Sequence, residues 1–399
     1  MGYHSALIFF KFTMLEQSPP ADASLPGVVF TMRYPDDTGY VWNHIAYLRD
    51  EVSAHLAGRA RAVMAFPRLS GKPSYRLRHM PAVQLDCYDN SPQARAAIAD
   101  YVKRHNVKVM VFMSAMPSTV CLDLLRSLGV RTLNTENDSF DLSRRDGLPK
   151  RAMKFILRRL LRRQVHDLHL ANSKGQRQFL LQYAMLPPER VVLMTNCIDT
   201  SRFSPGDRAA ARMRTGLDPD RFWILAVSQA RPEKRVDELI RVIHRVVRAR
   251  PERRIGFVYV GDGPLVAGWK ALVEELGLSD VCVFAGRQDD TLPWYRSVDL
   301  MVHGAERESF GLAVVEAMSC GVPVVASAAM GPSETILDGQ TGAVIPLHDF
   351  DAFGDAVLRY VDDAELTKNH GANARAHVGR EYNVVHYSKA FAQHIMRFL

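Results

Sequence analysis

One segment near the carboxyl end, from Glu306 to Ser327, constrains the fold more than any other part of the chain. It opens with acidic and polar residues, continues as an apolar run, and leads into a β-rich run at 322–326. Ser309 is a suitable helix N-cap, and Gly321 followed by Pro323 is a typical helix stop. The pattern predicts a loop, a helix of about three turns and a buried strand.

The apolar run contains one charged residue, Glu316. Because the predicted helix is apolar nearly all round, it should lie inside a domain, where a carboxylate needs a partner. Two interpretations remain open: Glu316 pairs with an arginine or a backbone group in the core, or it binds a ligand. Glu308 precedes it by eight residues, about 12 Å along a helix. The carboxyl groups of a glycosidase pair are roughly 5–10 Å apart, so the spacing argues against one.

The residues between the two glutamates predict an anion site. They form the start of the helix, where free backbone N–H groups and the positive end of the helix dipole favour a phosphate; they are Ser309, Phe310, Gly311 and Leu312. A glycine at this position lets an anion approach the backbone. An acid on each side of such a site suits a nucleotide-diphospho-sugar, with sugar hydroxyls at one end and ribose hydroxyls at the other.

Composition narrows the class of protein. A chain of 399 residues with 47% hydrophobic and 24% charged residues is typical of a soluble globular protein of two domains. Its five cysteines have no paired spacing, which argues against a disulfide framework or a zinc site and for a reducing compartment. The net charge of +8 favours acidic partners, but no nucleic-acid-binding motif is present. We expect residues 1–25 to form a loose extension.

Strand and helix patterns alternate along the chain, which predicts an α/β fold with doubly wound parallel sheets and ligands at the carboxyl edges of their strands. The first series has strands near 27–32, 60–65, 82–86, 108–112 and 130–134, with helices near 40–55, 92–104 and 118–128. The second has strands near 223–227, 255–260, 281–284 and 299–302. The linker-like residues 203–207 place a domain boundary near 206. Gly39, in the first loop, is a weak phosphate-loop signal that an ordinary turn would also explain.

Cationic and glycine-containing loops follow the strands of the second series. Gln229 begins a loop that contains Arg231 and Lys234, Gly261 begins a tight turn, and Arg287 follows the third strand. Cations at the carboxyl edge of a parallel sheet, beside a helix N-terminus, form an anion site.

The stretch 150–163 carries seven basic residues and no acid, with apolar residues at helical spacing. Such a helix can lie on an anionic membrane surface, or it can pack on a core with its arginines and lysines in solvent. The pattern alone leaves both interpretations open.

Taken together, these motifs resemble the retaining GT-B glycosyltransferases, and among them glycosyltransferase family 4 (glycosyl transferases group 1). The matching motifs occur in the family's order: N-C-I-D-x-x-x-F-S-P at 196–205, R-P-E-K at 231–234, G-D-G-P at 261–264, E-x7-E at 308–316 and G-P-S-E-x-I-x-D-G-x-T-G at 331–342. The resemblance implies a GT-B fold with two Rossmann-like domains facing a central cleft. The acceptor-binding domain would span 26–205 and the donor-binding domain 206–375, with a helix at 376–399 packing back on the first.

The resemblance also implies roles for individual residues. Glu316 would hold the donor ribose, Glu308 the hydroxyls of the transferred sugar, and Lys234 would neutralise the diphosphate. The N–H groups at 309–312 would face the diphosphate, and Gly39 would approach it from the other domain. The remaining donor-binding candidates are Gln229, Arg231, Gly261 and Arg287.

Several positions depart from the family pattern, including the glycine-rich first loop, which is reduced to Thr38-Gly39-Tyr40. Gln229 replaces the usual arginine, so Arg231 would supply that charge. Cys197 replaces a glycine, and Gly304 replaces a serine that often precedes the first motif glutamate. Where many relatives have a catalytic histidine, Asn137 or Glu136 would fill the role.

The activity implied by the resemblance is retaining transfer of a hexose from a nucleotide-diphospho-sugar to a lipid-linked or polysaccharide-precursor acceptor. It would need no metal or other cofactor. We expect a cytoplasmic protein, peripheral on the inner face of the cell membrane through 150–163, with no nucleic-acid partner. The alternatives are a nucleotide-sugar epimerase of the same fold and a catalytically inactive sugar-nucleotide-binding subunit.

Overall fold

The computed structural model describes residues 24–39, 41–115, 119–136, 153, 165–182 and 184–399. Two compact units are formed, one by the described residues up to Thr132 together with Ile395–Leu399, and the other by Leu133–His394. The expected extension 1–25 lies almost wholly outside the described residues. The predicted acceptor and donor domains, with their boundary at 205/206 and the helix packing back from 376–399, stay predictions.

The first sheet has seven strands in the order β3-β2-β1-β4-β5-β6-β7. They are β1 Gly27–Thr31, β2 Arg61–Phe66, β3 Ala82–Gln84, β4 Val107–Met113, β5 Arg131–Glu136, β6 Leu168–Ala171 and β7 Val191–Leu193. Every pairing with a described register is parallel, including β1 with both β2 and β4. The alternating pattern therefore predicted this sheet correctly.

The helices of this part of the chain are α1 Val41–Ala54, α2 Pro92–Arg104, α3 Leu122–Ser127 and α4 Lys174–Gln182. α2 has the predicted bounds because the Ser91 hydroxyl accepts the Ala94 N–H at its start and a proline occupies the first turn. α3 begins later than predicted, because the Leu122 N–H bonds to the Val120 carbonyl in a tight turn that a helix cannot include.

The second sheet has six strands in the order β10-β9-β8-β11-β12-β13, and its pairings are parallel. They are β8 Phe222–Val227, β9 Ile255–Val260, β10 Cys282–Gly286, β11 Leu300–His303, β12 Val324–Ser327 and β13 Gly342–Ile345. The strand order reverses between β8 and β11. In doubly wound sheets, ligands bind outside the carboxyl ends of the strands at this reversal.

The helices that follow are α5 Arg208–Thr215, α6 Val236–Ala249, α7 Val266–Glu275, α8 Leu292–Ser297, α9 Leu312–Ser319, α10 Pro332–Thr335, α11 Phe350–Asp362, α12 Ala364–Glu381 and α13 Val384–Met396. α6 shows why such segments are helical: Val236, Leu239, Ile240 and Ile243 are buried at helical spacing on one face. In the part of the chain that the structure describes, no helix has the length and apolar character needed to cross a membrane.

Both faces of the second sheet are covered by apolar clusters. Alternate residues of β8 enter different clusters, with Trp223 and Leu225 on one face and Ile224 on the other. α9 packs on the first face through Val314 and Val315, which are fully buried. A parallel sheet buried on both faces explains why its strands are continuous apolar runs in the sequence. It also confirms that the helix predicted within 306–327, which is α9, lies inside the unit.

Candidate donor-binding site

α9 begins later than the sequence predicts, and this correction positions the site. Its N-cap is Gly311, in the left-handed region with φ +87°, and not Ser309. The helix has eight residues, fewer than the three turns expected. The reason is a local contact: the Glu308 carboxylate accepts the Gly311 N–H at 3.2 Å, so the chain turns sharply before the helix starts. Glycine adopts this conformation without steric cost.

Glu308 and Lys234 form an ion pair at the reversal of the strand order. Lys234 Nζ lies 2.7 Å from Glu308 Oε2, with both side chains largely buried. Lys234 closes a short 3₁₀ turn after β8, and Glu308 lies in the loop after β11. The Glu306 N–H donates to the Glu233 carbonyl at 3.0 Å, which ties the two loops together. The sheet thus places the R-P-E-K lysine against the first motif glutamate.

The charge state of Glu308 follows from its surroundings. Burial opposes ionisation of the carboxyl group, but the charge of Lys234 outweighs burial and holds the pKa of Glu308 well below its usual range. Glu308 is therefore a carboxylate at neutral pH. A carboxylate accepts hydrogen bonds from sugar hydroxyls and cannot donate a proton.

His303 is a site residue that the sequence reasoning missed. It ends β11 and is buried, and its Nε2 lies 3.6 Å from Glu308 Oε2, too far for a hydrogen bond. Among the described residues this Nε2 has no hydrogen-bond partner. Burial lowers the pKa of His303, so the ring is neutral at pH 7. Its position at the carboxyl end of a strand, five residues before Glu308, was the available signal.

Glu316 is the fifth residue of α9, four residues after Leu312, and is partly exposed. The Tyr295 hydroxyl donates to Glu316 Oε2 at 2.7 Å. Burial raises the pKa of Glu316 to about 7, although the Tyr295 hydrogen bond and the charge of Arg202 oppose this rise. Among the described residues no cation pairs with its carboxyl group, which favours the ligand interpretation over a core ion pair. Tyr295 was also missed, because no motif contains it.

The cationic loops meet at one edge of the second sheet. Gln229 and Arg231 are exposed after β8, and the Ala230 N–H donates to the Asp262 carbonyl at 2.8 Å, which joins this loop to the turn at Gly261. Arg287 is exposed after β10, with a weak contact of 3.8 Å to Asp289. The structure therefore brings these four predicted residues to the edge where the ion pair lies: Gln229, Arg231, Gly261 and Arg287.

The backbone conformation of Gly261 leads to a prediction about stability. Its φ is +152°, and a Cβ at this position would lie 1.9 Å from the Ser228 carbonyl oxygen. Gly261→Ala should lower the free energy of unfolding by about 3 kcal/mol, because backbone must move to relieve the overlap. Chemical denaturation measures this loss. Gly268→Ala is the control: its site in α7 has no atom within 4 Å of a Cβ, so it should stabilise by about 0.5–1 kcal/mol. Equal effects of the two substitutions would contradict the prediction.

The residues at the start of α9 are well anchored. Ser309 is buried, and its Oγ accepts from Asn172 Nδ2 at 3.4 Å. The Phe310 ring packs edge-on against Tyr382. Leu312 is half-buried as the first residue of the helix. Of the four predicted backbone N–H groups, that of Gly311 is taken by Glu308, and that of Leu312 begins the helix.

Three further predictions concern residues that do not lie at this edge of the second sheet. Gly39 belongs to the other unit, has φ +73°, and its N–H donates to Ser74 Oγ at 2.9 Å. Asn137 lies outside the described residues, as does the basic stretch 150–163 apart from Met153. Glu136, the alternative to Asn137, is buried, 2.7 Å from His169 Nδ1. The roles predicted for these residues stay predictions.

Comparisons with known proteins identify related sequences. The model of the family described as glycosyl transferases group 1 matches residues 207–377. D-inositol 3-phosphate glycosyltransferase 2 of Catenulispora acidiphila is 34% identical over 223 residues, covering 54% of this chain and 52% of that protein. D-inositol 3-phosphate glycosyltransferase of Kribbella flavida is 33% identical over 220 residues, covering 53% and 52%. The chain spans about half the length of these curated relatives.

Solved structures share the fold over nearly the whole chain. Anabaena Alr3699/HepE in complex with UDP matches with a TM-score of 0.74 and 18% identity, covering 94% of this chain and 100% of that one. A glycosyltransferase from Rickettsia africae matches with a TM-score of 0.76 and 16% identity, covering 94% and 98%. WaaG, a glycosyltransferase involved in lipopolysaccharide biosynthesis, matches with a TM-score of 0.68 and 18% identity, covering 92% and 99%. The chain therefore has the GT-B fold of these structures, with two doubly wound sheets, and its residues 207–377 match the family described as glycosyl transferases group 1.

Proposed function

We propose that the protein is a retaining glycosyltransferase that moves a hexose from a nucleotide-diphospho-sugar to an acceptor. The observation that carries this proposal is the Lys234–Glu308 ion pair at the N-terminus of α9, with Glu316 further along the same helix. Lys234 is available for the diphosphate, the Glu308 carboxylate for the sugar hydroxyls and the Glu316 carboxyl group for the ribose. A solved relative in complex with UDP-glucose supports a nucleotide-sugar donor.

The charge states at the site support a mechanism in which the donor accepts the proton. Glu308 is ionised and paired with Lys234, so it is not a general acid. In the step that we propose, the acceptor oxygen bonds to the anomeric carbon on the face from which the diphosphate leaves. The acceptor hydroxyl proton then passes to the departing phosphate oxygen. Lys234 has three N–H donors, so it can bind a phosphate oxygen and stabilise the developing charge without leaving Glu308.

For the acceptor, we propose a lipid-linked or polysaccharide-precursor molecule at the cytoplasmic face of the membrane. The basic stretch 150–163 and the net charge of +8 support an anionic surface nearby. The curated relatives are named for D-inositol 3-phosphate, which makes a small phosphorylated acceptor the second candidate.

A donor screen tests the proposal. Saturating UDP-, GDP- or ADP-sugars should raise the melting temperature for one nucleotide class, since a ligand that binds only the folded state stabilises it. The stabilising donor is then incubated with lipid-linked, saccharide and inositol phosphate acceptors, and products are read by mass spectrometry. Product with no acceptor present would indicate an epimerase, and binding without turnover would indicate an inactive subunit. Addition of EDTA should leave the transfer rate unchanged.

Vesicle co-sedimentation tests the membrane proposal separately. The native protein should sediment with vesicles containing anionic lipid more than with neutral vesicles. A variant with Arg158, Arg159, Arg162 and Arg163 changed to Gln should lose this difference, because each basic residue near an anionic surface contributes about 1 kcal/mol. Equal sedimentation of both proteins would refute a membrane role for 150–163 and leave the transfer reaction untouched.

A further inference from the structure

A cavity lies in the 133–394 unit, between the segment that leads into α5, the helix α8 and the helix α12. Its volume is about 420 Å³, within the range of roughly 300–1,000 Å³ that small-molecule sites occupy. Three arginines line it, Arg208, Arg296 and Arg375, and no aspartate or glutamate does. Neither Lys234 nor Glu308 belongs to its lining, so it is distinct from the candidate donor site.

Two of these guanidinium groups are held only by neutral acceptors. Arg296 donates from Nε to the Ser204 carbonyl at 2.8 Å and from Nη2 to the Ser204 hydroxyl at 3.1 Å. Arg375 donates to the Phe203 carbonyl at 3.0 Å and to the Ser319 hydroxyl at 2.7 Å. Both side chains are half-buried. Within the described part of the chain, no carboxylate oxygen forms an ion pair with either of them, whereas Arg208 pairs with Asp299.

A half-buried guanidinium without a counter-ion is partly desolvated, and an anion in the cavity would offset the cost of that desolvation. A guanidinium has N–H donors on three nitrogens, and the bonds above leave Nη1 of Arg296 and Nε of Arg375 available. Cys320 lines the cavity, and the charges of Arg296 and Arg375 both act on the pKa of its thiol. Burial and Glu316 raise the pKa of the Cys320 thiol to about 12, while Arg296 and Arg375 both oppose the rise.

We propose that this cavity binds a small phosphorylated molecule at a site separate from the donor site. Guanidinium groups match the geometry of phosphate oxygens and bind them in pairs of hydrogen bonds. The apolar side chains of Pro205, Val298 and Val322 line the rest of the cavity and would pack against the carbon skeleton of the ligand. The Tyr295 side chain borders the cavity, and its hydroxyl donates to Glu316. Only the Tyr295 side chain would therefore separate a ligand in the cavity from Glu316, the residue proposed to bind the ribose.

Isothermal titration of inorganic phosphate into the full chain at low ionic strength tests this site. The native protein should bind phosphate saturably, and Arg296→Gln should weaken binding about tenfold, as expected when a charged hydrogen-bond donor is lost. Ala372→Trp keeps every charge but blocks the cavity at an exposed position of α12, so it should weaken binding as well. Arg177→Gln, an exposed arginine of α4, is the matched control and should bind like the native protein.

Lys234→Gln separates this cavity from the donor site. Under the proposal it retains phosphate binding at the cavity, and melting temperatures verify that each variant is folded. The proposal is overturned if the native protein shows no saturable binding. It is equally overturned if binding survives unchanged in both Arg296→Gln and Ala372→Trp, or if it is lost in Lys234→Gln alone.

Discussion

Glu308→Gln should reduce kcat for sugar transfer by about 10²- to 10³-fold, the range seen when one preorganised electrostatic contact to a transition state is removed. The glutamine keeps the size of the side chain and can still accept the Gly311 N–H. It cannot pair with Lys234, which lies 2.7 Å from the present carboxylate, and its amide group would direct N–H donors at the ammonium. Lys234 should then move, and both the sugar and the leaving diphosphate lose their ligand. Steady-state kinetics with the donor found in the screen measures the effect.

The matched control is Glu306→Gln, two residues earlier in the same loop. Its carboxylate contacts Arg235 at 3.5 Å and has no contact with Lys234. An exposed pair of this kind contributes at most about 1 kcal/mol, so the transfer rate should change little. Nucleotide affinity should be nearly unchanged in Glu306→Gln, because the Lys234–Glu308 pair stays intact in that variant. Full activity of Glu308→Gln, or an equal loss in Glu306→Gln, would remove Glu308 from the site.

Nucleotide affinity should rise about tenfold between pH 6 and pH 8. Glu316 has a pKa of about 7, so only about a tenth of the molecules carry the carboxylate at pH 6, and apparent affinity falls with the competent fraction. The carboxylate is the form that accepts hydrogen bonds from both ribose hydroxyls. Binding of the nucleoside diphosphate, followed by calorimetry across this pH range, gives the midpoint. Tyr295→Phe should move the midpoint upward, because it removes the hydrogen bond that favours the ionised form.

The stability of the unliganded protein should change in the opposite direction. The folded pKa of Glu316, about 7, exceeds the ordinary value of 4.5, so the folded state holds a proton that the unfolded state releases between these values. The resulting stabilisation is fully present below pH 4.5 and is lost as pH rises through 7. Glu316→Gln should therefore melt higher than the native protein at pH 8, with the difference vanishing near pH 4.5. It should also bind nucleotide weakly and without pH dependence between 6 and 8. A native affinity that stays flat with pH would refute this role.

Regular elements were the most predictable part of the fold. β9 at 255–260 and α2 at 92–104 have the bounds that their sequences predict. In β9 every residue is buried, so the strand is a continuous apolar run that ends at Gly261. In α2 a serine cap and a proline fix the first turn. These signals are local, and the structure of neighbouring segments does not change them.

Side-chain contacts decided the rest. The N-cap of α9 is Gly311 and not Ser309 because the Glu308 carboxylate accepts the Gly311 N–H just before the helix. The pairing of Lys234 with Glu308 joins residues 74 positions apart and depends on β8 lying beside β11. The bond from Tyr295 to Glu316 depends on how α8 packs against α9. The motifs predicted the two glutamates and the lysine, but the order of strands determined which of them touch.

The bonds of Arg375 and Glu334 also bear on how this protein can be dissected. The family model spans 207–377, yet Arg375 donates to the Thr200 and Phe203 carbonyls, which precede that span. The Glu334 carboxylate accepts the Lys174 and Gly175 N–H groups, both at 2.7 Å, at the first turn of α4. A fragment cut at the limits of the sequence match would therefore remove two carbonyl acceptors of the half-buried Arg375 guanidinium and both N–H partners of the Glu334 carboxylate. The segment matched by the family, 207–377, is therefore shorter than a segment that keeps these contacts. Donor-binding fragments should begin before α4.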